Sequence, residues 1–315
     1  MITLDDVKAA RDRIAGRVKR TELVSSEAVS ARVGCPVYLK LEMFQKTGAF
    51  KVRGAFNKVL SIPENKRGRG LVAVSGGNHA QAVAYVGKQL GLRSVIFMPE
   101  KTPRNYLDAT RGYGAEVILV PNAHEAFQQV AGYEAEGWTS VHPFDDPLVM
   151  AGQGTIGLEI VDDLPGVTDV VVSIGGGGFI GGIATAVKAL RPQARMWGVE
   201  TEGADSMTQA IAAGKPVLLT QITSIARTLG APSVSEQTLL MAKKYLESVT
   251  LVPDVEAARA LRFLLERAKV LTEPAASCTL AAAERLRDRF SPSSQVVLVL
   301  CGGNTSVADV CSYPV

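Results

Sequence analysis

Cysteine, histidine and net charge are all scarce in this sequence of 315 residues. No two of the four cysteines stand in a CxxC spacing, which argues for reduced thiols and against a disulfide frame or a zinc site; they are Cys35, Cys278, Cys301 and Cys311. Three histidines are too few and too scattered to predict a metal cluster; they are His79, His124 and His142. The net charge is only +3, with acidic and basic residues interspersed, so nucleic-acid binding is not predicted.

Long hydrophobic runs are also missing. No apolar stretch reaches the roughly 18 residues that a membrane-spanning helix needs, so no membrane association is predicted. The segment from Met1 to Gly16 has helical spacing and an acidic first turn instead of a basic segment followed by an apolar block. We therefore expect no signal peptide and predict a cytoplasmic protein.

Short runs rich in Val, Ile and Leu alternate with helical patterns along most of the chain; they are VYLKLE, LVAVS, SVIFM, AEVILV, DVVVSI, ARMWGVE and QVVLVL. This alternation predicts an α/β fold in which parallel strands are joined by helices. Nearly continuous apolar strands are typical of sheets that helices cover on both faces. We expect helices to begin near Lys51, Asn78, Pro103, His124, Pro147, Phe179, Ser235, Asp254 and Pro274.

A run of four glycines, Gly175 to Gly178, gives the strongest local signal and directly follows the strand DVVVSI. Glycines carry no side chains to block a ligand, and they allow successive N–H groups to point toward one anion at a helix start. A phosphate group suits such a nest. A tight turn with close packing is the structural alternative.

The same glycines also fit the dinucleotide-binding pattern G-x-G-x-x-G, through Gly176, Gly178 and Gly181. Glu200 ends the next predicted strand, about where a ribose-binding acid would stand. An NAD-dependent dehydrogenase is therefore a competing hypothesis from a different enzyme class.

A lysine beside an aromatic residue stands at the start of a predicted helix, in the string from Lys46 to Ala55. Lys51 follows Phe50, and we expect partial burial and the nearby charge of Arg53 to lower its pKa toward that of a neutral amine. A neutral amine is what imine chemistry requires. Taken alone, Lys51 would be a surface lysine on an amphipathic helix.

Two more strands end in turns that could bind a ligand. The strand LVAVS leads into Ser75, Gly76, Gly77, Asn78 and His79, a helix start whose N–H groups suit a carboxylate. Helix capping by Asn78 is the structural alternative. The strand QVVLVL leads into Cys301, Gly302, Gly303 and Asn304, and a side chain at the carboxyl end of this strand would face the same cleft.

These four segments, in this order and spacing, resemble the fold-type II pyridoxal-phosphate enzymes, specifically the branch of threonine/serine dehydratases and serine racemases. The strings His142–Pro147, Ala151–Thr155 and Glu273–Ala275 resemble the same branch. The resemblance covers nearly the whole chain. It implies a tryptophan-synthase-β-like fold with two domains, a large cofactor-binding domain of residues 1–69 and 146–315 and a small domain of residues 70–145. The active site would lie in the cleft between them.

The resemblance also implies roles for individual residues. Lys51 would hold the cofactor as a Schiff base and act as the catalytic base. The remaining cofactor-binding residues would be Phe50, Asn78, Gly175, Gly176, Gly177, Gly178, Phe179 and Cys301. The substrate would contact Ser75, Gly76, Gly77, Asn78, His79 and Glu273.

The implied reaction is β-elimination of water from an L-3-hydroxy amino acid of the threonine or serine type, with 3-phenylserine as a further candidate, which yields a 2-oxo acid and ammonia. A racemase on the same fold is the alternative. Racemases of this branch carry a serine where Gly76 stands, and Phe144 replaces an amide that they commonly have, so we expect elimination to dominate. Gly76 and Gly77 could also leave room for a bulkier substrate.

Other features of the branch map less completely onto this chain. Its divalent-cation site maps onto Glu200, Ala204 and Ser206, and the serine in place of a carboxylate makes cation binding doubtful. Threonine dehydratases of the biosynthetic type add a C-terminal regulatory domain, and only about a dozen residues of this sequence follow Gly302 to Asn304, so we do not expect feedback control by isoleucine. The resemblance implies a homodimer.

Overall fold

Two sheets carry the ten strands found in the described part of the chain. The structure is a computed structural model that describes residues 1–121 and 123–314, leaving aside the side chains at positions 123, 124 and 127. The strands are β1 Leu23–Ser25, β2 Val37–Leu41, β3 Leu71–Val74, β4 Ser94–Pro99, β5 Glu116–Val120, β6 Thr139–Ser140, β7 Asp169–Ser173, β8 Arg195–Thr201, β9 Leu246–Val252 and β10 Val296–Leu300.

The larger sheet has six strands in the order β1-β2-β10-β7-β8-β9, and the smaller has four in the order β5-β4-β3-β6. Every pair in the smaller sheet is parallel. In the larger sheet only β1 runs antiparallel to its neighbour, β2. The expectation of an α/β fold with parallel sheets is confirmed, apart from this short edge strand, which the apolar pattern does not reveal because only three residues form it.

Helices follow most of the strands. They are α1 Leu4–Ile14, α2 Glu27–Val33, α3 Val52–Leu60, α4 Asn78–Leu90, α5 Arg104–Gly112, α6 Ala123–Ala135, α7 Pro147–Asp163, α8 Gly178–Leu190, α9 Ser206–Ala213, α10 Glu236–Tyr245, α11 Asp254–Phe263, α12 Pro274–Arg285 and α13 Val307–Ser312. Each of the nine helix starts predicted from the sequence lies within one residue of a helix in this set.

Local chemistry explains where several helices begin. Asp146 caps α7 by accepting hydrogen bonds from the N–H groups of Leu148 and Val149, and Pro147 takes the first helical position, where no N–H is required. Ser235 forms a reciprocal capping box with Thr238 at the start of α10. In contrast, no side chain caps α4 or α8, the two helices that start at the glycine turns.

The central strands are buried along their whole length. All five residues of β7 and all five of β10 are buried, which agrees with sheets covered on both faces. The longest helix, α7, is likewise buried over most of its length and packs against α8, α3 and α1. No helix in residues 1–121 and 123–314 is long and apolar enough to span a membrane.

The catalytic candidates follow the carboxyl ends of three strands. The turn at Ser75 follows β3, the glycine run follows β7, and Cys301 follows β10. Open α/β sheets bind ligands outside the carboxyl ends of their strands, so the topology gathers these segments at the edges where a ligand is expected.

Candidate active site

Lys51 is the N-cap residue of α3, and its amine points across the cleft. The Nζ donates a hydrogen bond to the carbonyl oxygen of Pro143 at 2.6 Å. Desolvation lowers the pKa of this half-buried residue from 10.5 to about 8, although Cys301 and Glu273 act in the opposite direction. The amine is therefore much closer to its neutral form near physiological pH than an exposed lysine is.

Arg53 does not contribute to this effect, and the expectation that its charge lowers the pKa of Lys51 was wrong. Its guanidinium is buried and paired with Glu42 at 2.7 Å and with Glu159 at 2.6 Å. Lys40 joins the same cluster through a 2.6 Å contact with Glu159. Two cations and two carboxylates therefore neutralise one another beneath the start of α3, and desolvation alone accounts for the lowered pKa.

The glycine run forms a close-packed cradle before α8. Gly177 has a φ of +89° and serves as the N-cap residue, a conformation that favours glycine. A Cβ built on Gly176 would lie 2.2 Å from the ring of Phe144, and one built on Gly178 would lie 2.2 Å from the carbonyl oxygen of Phe144. Both positions therefore require glycine, and no side chain caps the N-terminus of the 13-residue helix α8.

An aromatic stack joins the lysine segment to the glycine run. The rings of Phe50 and Phe179 lie 3.7 Å apart at an interplanar angle of 24°. Phe50 directly precedes Lys51, and Phe179 directly follows the four glycines. The N–H of Phe50 also donates to the carbonyl oxygen of Cys301 at 3.1 Å. Three of the segments singled out in the sequence therefore meet at one place.

Cys301 is buried at the end of β10. Its Sγ lies 3.6 Å from the Ser173 Oγ and 4.0 Å from Glu273 Oε1. Burial and the nearby carboxylate of Glu273 raise the pKa of this thiol well above its usual range. Cys301 is therefore a neutral thiol.

The turn from Ser75 to His79 is held by Glu273. The structural alternative for Asn78 was a helix cap, but its side chain does not cap α4. Its Nδ2 donates instead to both carboxylate oxygens of Glu273 at 2.8 and 3.1 Å. Ser75 accepts a hydrogen bond from the N–H of Gly77 through its Oγ. Burial raises the pKa of Glu273. This carboxyl group lies near the amine of Lys51 and the thiol of Cys301.

His79 is buried in the first turn of α4. Its Nε2 lies 2.8 Å from the carbonyl oxygen of Val141, and its Nδ1 has no hydrogen-bond partner among the described residues. Burial lowers the pKa of the ring to about 3, so His79 is neutral.

The positions that Cβ atoms on Gly76 and Gly77 would take lie against other side chains. A Cβ on Gly76 would lie 2.7 Å from the Thr102 Oγ1, and one on Gly77 would lie 3.3 Å from the Thr228 Cγ2. The suggestion that these glycines leave room for a bulkier substrate stays a prediction, because these distances describe only the direction that a Cβ would take.

Three residues at this site carry no assignment from the sequence. Asn304 donates from Nδ2 to the Oδ1 of Asn78 at 2.8 Å, and Thr228 donates to Glu273 at 2.9 Å. Tyr106 donates to the carbonyl oxygen of Asn304 at 2.7 Å. The glycine pair before Asn304 marks a turn at a strand end, but nothing in the sequence points to Thr228 or Tyr106, whose partners are far away along the chain.

The candidate cation site holds a single carboxylate. Glu200 is buried and accepts hydrogen bonds from the N–H groups of Met207 and Thr208 at 2.8 Å, so it caps α9. The Ser206 Oγ is buried without a partner among the described residues, and Ala204 bridges back to Thr201. Within residues 1–121 and 123–314, no group of three or more His, Cys, Asp or Glu side chains is placed to hold a metal ion.

Comparison with known proteins agrees with this site. The family model described as "Pyridoxal-phosphate dependent enzyme" matches residues 14–302. An L-threonine ammonia-lyase of Geobacter sulfurreducens is 44% identical over 308 residues, which cover 96% of this chain and 76% of that protein.

Solved structures give the same result. Maize serine racemase superposes with a TM-score of 0.93 at 33% identity, covering 98% of this chain and 95% of the maize chain. A threonine deaminase of the organism abbreviated T.th. superposes with a TM-score of 0.90 at 37% identity, covering 97% of this chain and 99% of that one. The family match spans more than half of the chain and includes the segments around Lys51, Ser75 and Gly175, and the fourth segment as far as Gly302. The chain therefore belongs to the family of pyridoxal-phosphate dependent enzymes.

Proposed function

We propose that this protein is a pyridoxal-phosphate dependent dehydratase, an ammonia-lyase that converts an L-3-hydroxy amino acid of the threonine or serine type into a 2-oxo acid and ammonia. The observation that carries the proposal is the convergence of Lys51 and the glycine run through the stack of Phe50 on Phe179. The similarity to L-threonine ammonia-lyase at 44% identity supports the choice of substrate class.

The residues present fit this cofactor. A phosphate needs unobstructed N–H donors, and the cradle at Gly175 to Gly178 leaves no space for side chains before the uncapped N-terminus of α8. The Phe179 N–H would complete this set. Lys51 would bind the cofactor covalently, Phe50 would pack beside its ring, Asn78 would hydrogen-bond its hydroxyl and Cys301 would face its ring nitrogen.

When bound, pyridoxal phosphate supplies an aldehyde that links to amines and a ring that withdraws electrons from the amino acid Cα. Lys51 then provides the base. Its amine has a pKa of about 8, so the neutral form that takes up the Cα proton is accessible at pH 7 to 8. The Pro143 carbonyl accepts a hydrogen bond from this amine, and the carboxylate of Glu273 is near enough to raise its pKa.

The substrate carboxylate would bind at the turn from Ser75 to His79. The start of α4 presents N–H groups without a side-chain cap, and a helix N-terminus favours negative charge. Because Glu273 fixes Asn78 from the other side, the turn keeps its shape when the carboxylate is absent. A carboxylate bound there would limit the positions that the substrate Cα can take relative to Lys51.

Two features favour elimination over racemisation. Cys301 is a neutral thiol, which gives no negative charge to stabilise a protonated ring nitrogen, so a long-lived carbanion is disfavoured. Gly76 carries no acid that could return a proton to the opposite face of Cα. The close superposition on maize serine racemase keeps racemisation as the second candidate. The dehydrogenase hypothesis loses its basis, because the matching family binds pyridoxal phosphate.

The experiment is a Lys51→Ala substitution assayed with L-threonine and L-serine by release of 2-oxo acid and ammonia. We expect the substitution to abolish turnover, while the exposed control Lys66→Ala keeps it. Chiral analysis of the remaining amino acid measures racemisation in the same samples. Normal elimination by the Lys51→Ala variant, or D-enantiomer formed faster than oxo acid by the unmodified protein, would refute the proposal.

The other expectations remain predictions. They are the homodimer, the cytoplasmic location and the division into residues 1–69 with 146–315 and residues 70–145. The two sheets support the division, because β3 to β6 pair only with one another in the described chain.

A further inference from the structure

Thr102 lies at the carboxyl end of β4, next to the turn that follows β3. Its N–H donates to the carbonyl oxygen of Pro99 at 2.9 Å, and Pro103 follows it as the N-cap residue of α5. The backbone is therefore held on both sides. The residue is only 9% exposed, and its Oγ1 has no hydrogen-bond partner among the described residues.

The hydroxyl of Thr102 points at Gly76. An ideal Cβ on Gly76 would lie 2.7 Å from the Thr102 Oγ1 and 3.3 Å from the ring of Pro99. The hydroxyl thus occupies the space that a side chain at position 76 would take. Because Gly76 has no side chain, this position gives the hydroxyl no side-chain acceptor.

A buried hydroxyl without a partner is destabilising, so such groups usually have a ligand or a structural explanation. Ser94, the first residue of β4, has a structural explanation. A Cβ built on Gly87 would lie 2.0 Å from the unpartnered Ser94 Oγ. The hydroxyl of Ser94 therefore packs directly against the backbone of Gly87 in α4. Thr102 instead faces a turn with uncapped N–H groups.

We propose that Thr102 is a substrate-binding residue whose hydroxyl donates a hydrogen bond to the α-carboxylate of the amino-acid substrate on the turn from Ser75 to His79. This inference rests on the proposed function. The turn supplies N–H donors from α4, and Thr102 adds a donor from the neighbouring strand end, so the carboxylate is bound from two elements. A carboxylate accepts several hydrogen bonds at once, which suits this arrangement.

The test uses the holoenzyme and two ligands that cannot undergo β-elimination. L-Alanine keeps the carboxylate and has no leaving group, whereas the corresponding amino alcohol, L-alaninol, has a hydroxymethyl group in place of the carboxylate. Binding is read from the absorption band of the bound cofactor. We expect Thr102→Val to weaken L-alanine binding about tenfold or more and to leave L-alaninol binding within about twofold.

Thr102→Ser keeps the hydroxyl and is expected to bind L-alanine within about threefold of the unmodified protein. Ser94→Ala is the matched control, since it removes another unpartnered buried hydroxyl, from the strand β4 that precedes Thr102, and it should leave both affinities unchanged. For turnover, Thr102→Val should raise the KM for L-threonine more than it lowers kcat. Thermal unfolding of each holoenzyme reports whether the fold is preserved, and Thr102→Ala replaces Thr102→Val if the valine variant does not fold.

Unchanged L-alanine binding in the folded Thr102→Val or Thr102→Ala variant would overturn the inference. An equal loss for L-alanine and L-alaninol would overturn it too, because a hydrogen bond to a charged carboxylate is stronger than one to the hydroxyl of L-alaninol. These results are distinct from failure of the proposed function, which would show as absence of oxo-acid release by the unmodified protein.

Discussion

The lowered pKa of Lys51 predicts that the lysine destabilises the cofactor-free protein at neutral pH. The pKa falls from 10.5 in an exposed lysine to about 8 in the folded protein, because the ammonium is desolvated. Below pH 8 the amine is protonated in both the folded and the unfolded protein. Because the unfolded chain binds the proton more tightly, protonation then lowers the free energy of unfolding by its full amount. The cost shrinks as the pH rises from 8 toward 10.5 and is absent above that value.

The shift of about 2.5 pKa units corresponds to roughly 3 kcal/mol, from about 1.4 kcal/mol per unit. Lys51→Met removes the titrating amine and keeps most of the apolar side chain. Relative to the unmodified protein, its free energy of unfolding should therefore be higher at pH 7 than at pH 10 by about 2 to 3 kcal/mol. Any pH-independent effect of the substitution, such as loss of the hydrogen bond to Pro143, adds equally at both values.

The assay is equilibrium unfolding in urea of both cofactor-free proteins, at several values between pH 7 and pH 10. The difference between the two free energies of unfolding is plotted against pH, which cancels every group that titrates alike in both proteins. Lys66→Met, at an exposed position, is the control and should show a flat difference. A flat difference for Lys51→Met would refute a buried amine with a lowered pKa.

Three further predictions concern the packing around the site. Gly176→Ala should strongly reduce cofactor content, measured by absorbance, because the added Cβ meets the ring of Phe144 at 2.2 Å; full occupancy would contradict the cradle. Arg53→Met should lower the free energy of unfolding by about 3 to 5 kcal/mol in urea, since it leaves two buried carboxylates short of a cation, and a loss below about 1 kcal/mol would contradict a tight ion cluster. Tyr106→Phe should cost about 1 kcal/mol by the same method, through loss of the hydrogen bond to Asn304, and no change would argue against that contact.

Much of the fold follows from short-range patterns. The buried strands β7 and β10 are uninterrupted apolar runs, and helix starts at Pro147 and Ser235 carry their own capping residues. The sheet of β3 to β6 follows from the alternation of strand and helix. The sequence did not single out β1, β6 or β9. Two or three residues give β1 and β6 no period to detect, and β9 is an edge strand in which only Val252 is buried, so it carries no continuous apolar run.

Partners far apart along the chain explain what the sequence missed at the site. Thr228 and Glu273 are separated by 45 residues, and Tyr106 and Asn304 by 198. Each is an ordinary polar residue in its local context. Arg53 shows the opposite error, in which closeness along the chain was taken for an interaction. It stands two residues from Lys51, but its guanidinium forms ion pairs with Glu42 and Glu159.

The sequence by itself determined the fold class, the family and the candidate ligand-binding segments, because glycine runs at strand ends and apolar periodicity are local properties of the chain. The tertiary structure alone decided which side chains fill the cleft and how they ionise. Thr102 faces Gly76, and the amine of Lys51 is desolvated, only because separate strands end at the same edge and exclude water there. Desolvation and contact depend on what surrounds a group in space, which neighbours along the chain do not reveal.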